Sequence, residues 1–320
     1  MQRTIVVVGT GGTIAGVAAR ATDHVGYVAG ALGPETLAAA VPVLAELPLQ
    51  YESLARLDSS DMDYATWCRL RQRLTRLLRR PQVRGIVVTH GTDTLEETAY
   101  FLHRTLRAPK PVVLTAAMRP ATALAPDGPQ NLLDAVTVAG TEGARGVVVA
   151  FGGRLWCGAD VRKVHGYRLD AFSGGDAGPL GVLEEGRLRL LRAWPEVALH
   201  RAAARSWPDA AHWPAVDLVT SHAGARGALV DALVGAGAAG IVIAGTGNGS
   251  VHAELLAAAR RAEAAGVRVR RASRCQLGGV VGAPADALPS YGTLTPPQAR
   301  IELLLDLLHE RSTPRRRRRS

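Results

Sequence analysis

Apolar positions along this chain fall into short continuous runs that alternate with longer stripes at helical spacing. Thr4 to Val8 has the length and character of a buried strand, and Gly9 ends it. Pro34 and Glu35 suit a helix first turn, and Leu37, Val41 and Leu44 follow at helical spacing. Trp67, Leu70, Leu74, Leu77 and Leu78 make an amphipathic stripe that Pro81 stops. Val83 to Thr89 then reads as a strand. Thr94 and Glu97, at capping-box spacing, open a helix whose apolar face carries Leu95, Phe101 and Leu102. Val112 to Thr115 and Val147 to Phe151 are further short strands, and Leu132 to Val138 is helical. This alternation predicts an α/β fold with a mostly parallel sheet and helices on both faces.

Between about Leu190 and Pro214 the pattern weakens, interrupted by Pro195, Trp207, Pro208, Trp213 and Pro214. A second α/β pattern follows, with strands at Leu218 to Ser221, Ile241 to Ala244 and Val267 to Ala272. Helices are expected around Leu229 to Val234, from near Val251, and over Gln298 to Leu308. The expected organisation is a larger N-terminal α/β domain over 1–195, a linker over 196–212, a smaller parallel α/β domain over 213–312, and a disordered Arg-rich tail over 313–320.

At 320 residues, 47% of them hydrophobic, the chain is long enough for one large core or two. No apolar stretch approaches the roughly 20 residues that span a bilayer, so no membrane partner is expected. Met1-Gln2-Arg3 leads straight into a strand pattern without a signal-peptide cleavage site, which points to a cytoplasmic protein. Cys68, Cys157 and Cys275 are odd in number and far apart, so neither a disulfide nor a metal site is expected. Cys68 reads as a small buried hydrophobe.

The net charge of +10 is concentrated locally, since Arg315 to Arg319 supply five of the positive charges. That run reads as a solvated tail, and nucleic acid is not an expected partner. Only Lys110 and Lys163 are lysines among 38 basic residues. Lys110 sits in a loop between two prolines. Lys163 stands out because lysine, unlike arginine, can give up its proton in a tuned site.

Two glycine- and threonine-bearing turns carry the candidate chemistry. Gly9-Thr10-Gly11-Gly12-Thr13-Ile14-Ala15-Gly16 follows the first strand, and Thr89-His90-Gly91-Thr92-Asp93-Thr94-Leu95-Glu96-Glu97 follows Gly85 to Val88. Ligands of open α/β sheets bind at such strand ends. The first turn is not a dinucleotide fingerprint, because Ile14 stands where that spacing needs glycine or alanine, and no Gly-Lys-Ser/Thr of a P-loop is present. Hydroxyls with a carboxylate suit covalent catalysis on a small polar substrate instead. The structural alternative is that each threonine or aspartate merely forms a turn or caps a helix.

These two blocks resemble the signature blocks of the bacterial L-asparaginase family. The resemblance runs over nearly the whole chain. It takes in Tyr27 in Gly26-Tyr27-Val28-Ala29-Gly30, Asp58-Ser59-Ser60-Asp61-Met62, Ala117-Met118-Arg119-Pro120 and Asp127-Gly128-Pro129-Gln130-Asn131-Leu132. It continues through Asp160-Val161-Arg162-Lys163, Gly178-Pro179-Leu180-Gly181 and Gly245-Thr246-Gly247-Asn248-Gly249.

The resemblance implies hydrolysis of L-asparagine to L-aspartate and ammonia, without metal or organic cofactor. It implies Thr13 as nucleophile, Tyr27 helping to accept its proton, and Thr92, Asp93 and Lys163 as a second polar cluster. A minority view of the family makes the second threonine the nucleophile. Ser59 and Ser60 match the segment that binds the substrate carboxylate, Asp93 would take the α-ammonium, and Asn248 matches a residue reaching in from a neighbouring subunit. Ser-Ser at 59–60 resembles the cytoplasmic-type form, and the family implies a homo-oligomer, dimer or tetramer, with sites at subunit contacts. Periplasmic relatives carry a C-terminal glutamate that contacts the tyrosine. Here Asp286 is the only carboxylate between Gly278 and Leu288, and whether it substitutes stays open. Two other readings remain: an amidohydrolase acting mainly on glutamine or another side-chain amide, and a non-catalytic amino-acid sensor.

Overall fold

The computed structural model describes residues 3–282 and 287–311, so Asp286 and the tail over 313–320 lie outside the described residues. The chain divides into two units, one through Leu199 and one from His200.

In the first unit, β1 (Thr4–Gly11) runs into the first glycine turn, and the small strands β2 (Val17–Ala18) and β3 (Tyr27–Val28) form an antiparallel pair beyond it. The stripe through Leu37, Val41 and Leu44 is not one helix. α1 (Pro34–Ala39) stops, and a separate 3-10 turn begins at Pro42. Proline there has no N–H to donate and drives Val41 out of the helical region, to φ −124 and ψ 89. The three side chains are nevertheless all buried.

β4 (Leu49–Leu57) leads to α2 (Tyr64–Leu78), whose stripe of Trp67, Leu70, Leu74, Leu77 and Leu78 is buried, as its spacing requires. Cys68, on the same helix, is only half-buried. β5 (Val83–Thr89), α3 (Leu95–Thr105), β6 (Pro111–Thr115), α4 (Gly128–Gly140) and β7 (Gly146–Phe151) continue the alternation. β8 (Arg154–Cys157) is followed by the short pair β9 (Arg162–Lys163) and β10 (Phe172–Ser173), then by β11 (Gly181–Glu184) and β12 (Arg187–Leu190).

Among the described residues the main sheet has eight strands in the order β12-β11-β8-β7-β6-β5-β1-β4. From β7 to β4 all neighbours are parallel, whereas β8, β11 and β12 pair antiparallel. The sheet is therefore mixed. Its antiparallel half is built on two-residue turns, Gly152-Gly153 at φ 59 and 69 and Glu185-Gly186 at φ 49 and 69. Positive φ at both positions gives the turn that matches the twist of a hairpin.

The second unit is a parallel three-stranded sheet, β13 (Val216–Thr220), β14 (Gly240–Gly245) and β15 (Arg268–Ser273), in that order. With it fold α5 (Ala228–Gly235), α6 (Ala253–Ala264) and α7 (Pro296–Arg311). The stretch from His200 to Trp213 packs within this unit. Trp207 and Trp213 donate their indole N–H groups to the carbonyls of Ala202 and Pro208, and their rings meet edge-on at 5.3 Å.

Candidate active site

Three strands of the first unit deliver the candidate residues. β5, β1 and β4 lie side by side and parallel, with Gly9 paired to both Ser53 and Thr89, so their carboxyl ends open at one edge. The loops that follow are in backbone contact. Gly12 has φ +82, and a Cβ built there would stand 2.3 Å from Gly91 Cα. A Cβ on Gly91 would stand 2.4 Å from Ser59 Oγ. Only glycine permits that approach.

Thr13 is buried at the start of a 3-10 turn, and its Oγ1 lies 2.6 Å from the phenol oxygen of Tyr27. The β2–β3 pairing aligns Ala18 with Tyr27 and so folds the tyrosine back over Thr13. Gly16 makes room for the ring, since a Cβ there would lie 2.7 Å from Tyr27 Cδ2. Burial, with smaller contributions from the charges of Asp58 and Asp93, raises the Tyr27 pKa above the ordinary phenol value. The phenol is therefore neutral at physiological pH.

Lys163, brought from 71 residues away, donates from Nζ to Thr92 Oγ1 at 2.9 Å and to Asp93 Oδ1 at 2.5 Å. An ammonium has no acceptor, so the Thr92 oxygen must accept, which leaves the Thr92 proton available to a further acceptor. The lysine side chain is only 16% exposed and the Asp93 side chain 56%, so the ion pair has one enclosed member and one accessible to a solute. The pairing of Phe172 with Lys163 in β10 and β9 fixes the lysine backbone.

Ser59 ties the turns together. Its Oγ accepts the Asp93 N–H at 3.1 Å, and its carbonyl accepts the Thr94 hydroxyl at 2.7 Å. Thr94 does occupy the N-cap of α3, but its side chain makes no cap bond because it is turned to Ser59. Ser60 is exposed, and both its N–H and its hydroxyl engage Asp58 Oδ1, at 3.0 and 3.1 Å. Asp58 thus caps the serine turn. Asn248 belongs to the second unit, where its side chain exchanges two hydrogen bonds with the backbone of Val281, at 2.8 and 2.7 Å. Arg271 donates to the carbonyls of Asn248 and Gly249 and holds that loop.

Two supporting residues escaped the sequence reading. His90 Nδ1 faces the Gly91 carbonyl at 2.7 Å, which can only accept, so Nδ1 carries the proton of the neutral ring; Nε2 then accepts the Thr98 hydroxyl at 3.0 Å, while Thr98 Oγ1 accepts the Trp67 Nε1–H at 2.8 Å. Burial lowers the His90 pKa to about 4, so the ring is neutral and holds the peptide leading to Thr92. Glu96, in the first turn of α3, accepts the backbone N–H of Lys163. In sequence it reads as an ordinary acidic residue at a helix start. His165, His222 and His252 make local backbone contacts. Among the described residues no group of three or more His, Cys, Asp or Glu side chains is arranged to hold a metal ion.

Fold and site together define an α/β protein that gathers two threonine hydroxyls, a tyrosine and a lysine–aspartate pair at the carboxyl edge of its main sheet. The family model described as Asparaginase, N-terminal, matches residues 4–196, and that of the Glutaminase/Asparaginase C-terminal domain matches residues 215–319. The chain belongs to the asparaginase family. It is 37% identical to the glutaminase-asparaginase of Pseudomonas fluorescens biotype A over 87% of this chain and 77% of that protein. It is 36% identical to L-asparaginase 2 of Bacillus subtilis (strain 168) over 94% of this chain and 81% of that protein. A crystal structure of a probable cytoplasmic L-asparaginase from Campylobacter jejuni is similar with a TM-score of 0.88 and 35% identity, covering 96% of this chain and 95% of the other.

Proposed function

We propose that this chain hydrolyses L-asparagine to L-aspartate and ammonia by way of an ester on Thr13. The observation that carries this reading is the pairing of Thr13 with Tyr27 beside a Lys163-bridged Thr92 and Asp93, on turns that touch through Gly12 and Gly91. The names of the relatives at about one-third identity support the substrate.

Thr13 Oγ attacks the amide carbon. As a neutral phenol, Tyr27 takes the threonine proton only while passing its own to the departing nitrogen, which leaves as ammonia. Water then attacks the ester carbon, its proton returns to Thr13, and aspartate is released. The Lys163–Thr92–Asp93 cluster supports polarisation of that water. The exposed part of Asp93 binds the substrate α-ammonium, and the Ser59–Ser60 turn binds the carboxylate. Asn248 completes the site from a second copy in a homo-oligomer, and the enzyme works in the cytoplasm.

The test is ammonia release from a panel of amides by wild type and Thr13→Ala. Loss of release in a variant that keeps its circular dichroism spectrum supports the reading, and full activity sinks it. Mass-spectrometric mapping of a quenched acyl-enzyme discriminates Thr13 from Thr92 as nucleophile. A second reading, glutamine as the main substrate, is favoured by the glutaminase-asparaginase relative at 37% identity. A higher kcat/KM for glutamine than for asparagine would establish it.

A further inference from the structure

We propose that Glu96 is the positioning residue of this site, its carboxylate clamping the backbone of Lys163 and so setting how firmly the ammonium is delivered to Thr92 and Asp93. The inference rests on the reading of Lys163 as part of the reacting cluster.

The two arms of that cluster arrive separately. Thr92 and Asp93 precede α3, whereas Lys163 rides on the two-residue strand β9, a short support for a group that must hold its position. Glu96 joins them, since it stands one turn beyond Asp93 on α3 and accepts the Lys163 N–H across 67 residues. An amide bonded to an ionised carboxylate is held about twice as strongly as one bonded to a neutral acceptor. The clamp therefore has two strengths, according to whether Glu96 carries its proton.

Partial burial makes that choice fall in a useful range. Desolvation pushes the Glu96 carboxyl up to about 7, and the charge of Glu97 on the same helix adds to it. From β9 the Lys163 N–H and the charges of Arg162 and Lys163 act in the opposite direction. As pH rises through about 7 the clamp tightens and the ammonium is held on Thr92 and Asp93. Activity then climbs on a limb that belongs to Glu96.

Because Lys110 and Lys163 are the only lysines, protein grown on [15N]lysine gives two backbone amide signals, assigned by Lys110→Arg. In the wild type the Lys163 amide should titrate with a midpoint near that of Glu96, and in Glu96→Gln it should not. In parallel, kcat/KM of the wild type for asparagine should rise roughly tenfold over the same interval, on the scale of a reacting group brought into its productive position. Glu96→Gln, which keeps shape and acceptor but cannot ionise, should be flat at the lower level. A Lys163 amide that does not titrate, or a Glu96→Gln enzyme that keeps the neutral-pH limb, overturns the proposal. Should the wild type release no ammonia at all, the functional reading fails, while the amide titration still decides the clamp.

Discussion

The hydroxyl of Thr13, on the 3-10 turn after β1, and the phenol of Tyr27, on β3, are 2.6 Å apart, 14 residues from one another in sequence. The contact requires Gly16, because any side chain there meets the tyrosine ring. A threonine hydroxyl in contact with a group able to relay its proton differs chemically from one that only caps a turn.

Tyr27→Phe removes the relay and leaves the packing. We expect kcat to fall by about 10²- to 10³-fold, within the range of general acid–base effects, with a small change in KM. Steady-state ammonia release measures both, and a wild-type kcat would remove Tyr27 from the mechanism.

Lys163→Arg retains the positive charge but replaces a compact ammonium, bonded to Thr92 Oγ1 and Asp93 Oδ1, with a planar fork that cannot reproduce both contacts in the same space. Activity should drop by at least about 100-fold, on the scale of losing a charge-stabilising donor. The folded state should survive, which thermal melts of the variant would check.

Gly12→Ala should separate the two turns. Its Cβ would stand 2.3 Å from Gly91 Cα and N, backbone atoms that cannot swing aside, at a φ of +82 that alanine avoids. A loss of at least about 2 kcal/mol in urea unfolding is expected, together with most of the activity. Gly235→Ala, where a Cβ meets nothing within 4 Å at the last residue of α5, is the control that should not lose stability.

Glu96 gives a stability prediction with a defined sign. Its folded-state pKa, about 7, lies above the ordinary 4.5. The folded protein therefore binds the proton more tightly, and this contribution to stability is complete below pH 4.5 and lost as pH rises through about 7. Glu96→Gln escapes that loss. Its stability relative to wild type should improve by up to about 3 kcal/mol between those limits, read from urea melts at several pH values. A variant more stable yet less active at pH 8 would mark Glu96 as a group kept for function.

Much of the architecture was legible from periodicity. The α2 stripe, the strands at Val83 and Val147 and the second α/β pattern each rest on local spacing, and local spacing survives into the fold. The reading erred where one residue overrode a pattern. Pro42 broke the expected helix, and Ser59 drew the Thr94 hydroxyl away from its cap. It also passed over the antiparallel half of the sheet, whose signals are the pairs Gly152-Gly153 and Glu185-Gly186 rather than any apolar run.

The chain alone determined which residues could do chemistry: two threonine turns at strand ends and Lys163, one of only two lysines in an arginine-rich background. Those are properties of residue type and near neighbours, which a sequence carries directly. Tertiary structure decided which of them meet. Strand order set β5, β1 and β4 together, the Gly12–Gly91 contact joined the turns, and β9 carried Lys163 across to Thr92. The partner of Glu96 lies 67 residues away, and what separates a clamp from a solvated helix-start carboxylate is burial against that partner, a relation between distant segments that no local pattern encodes.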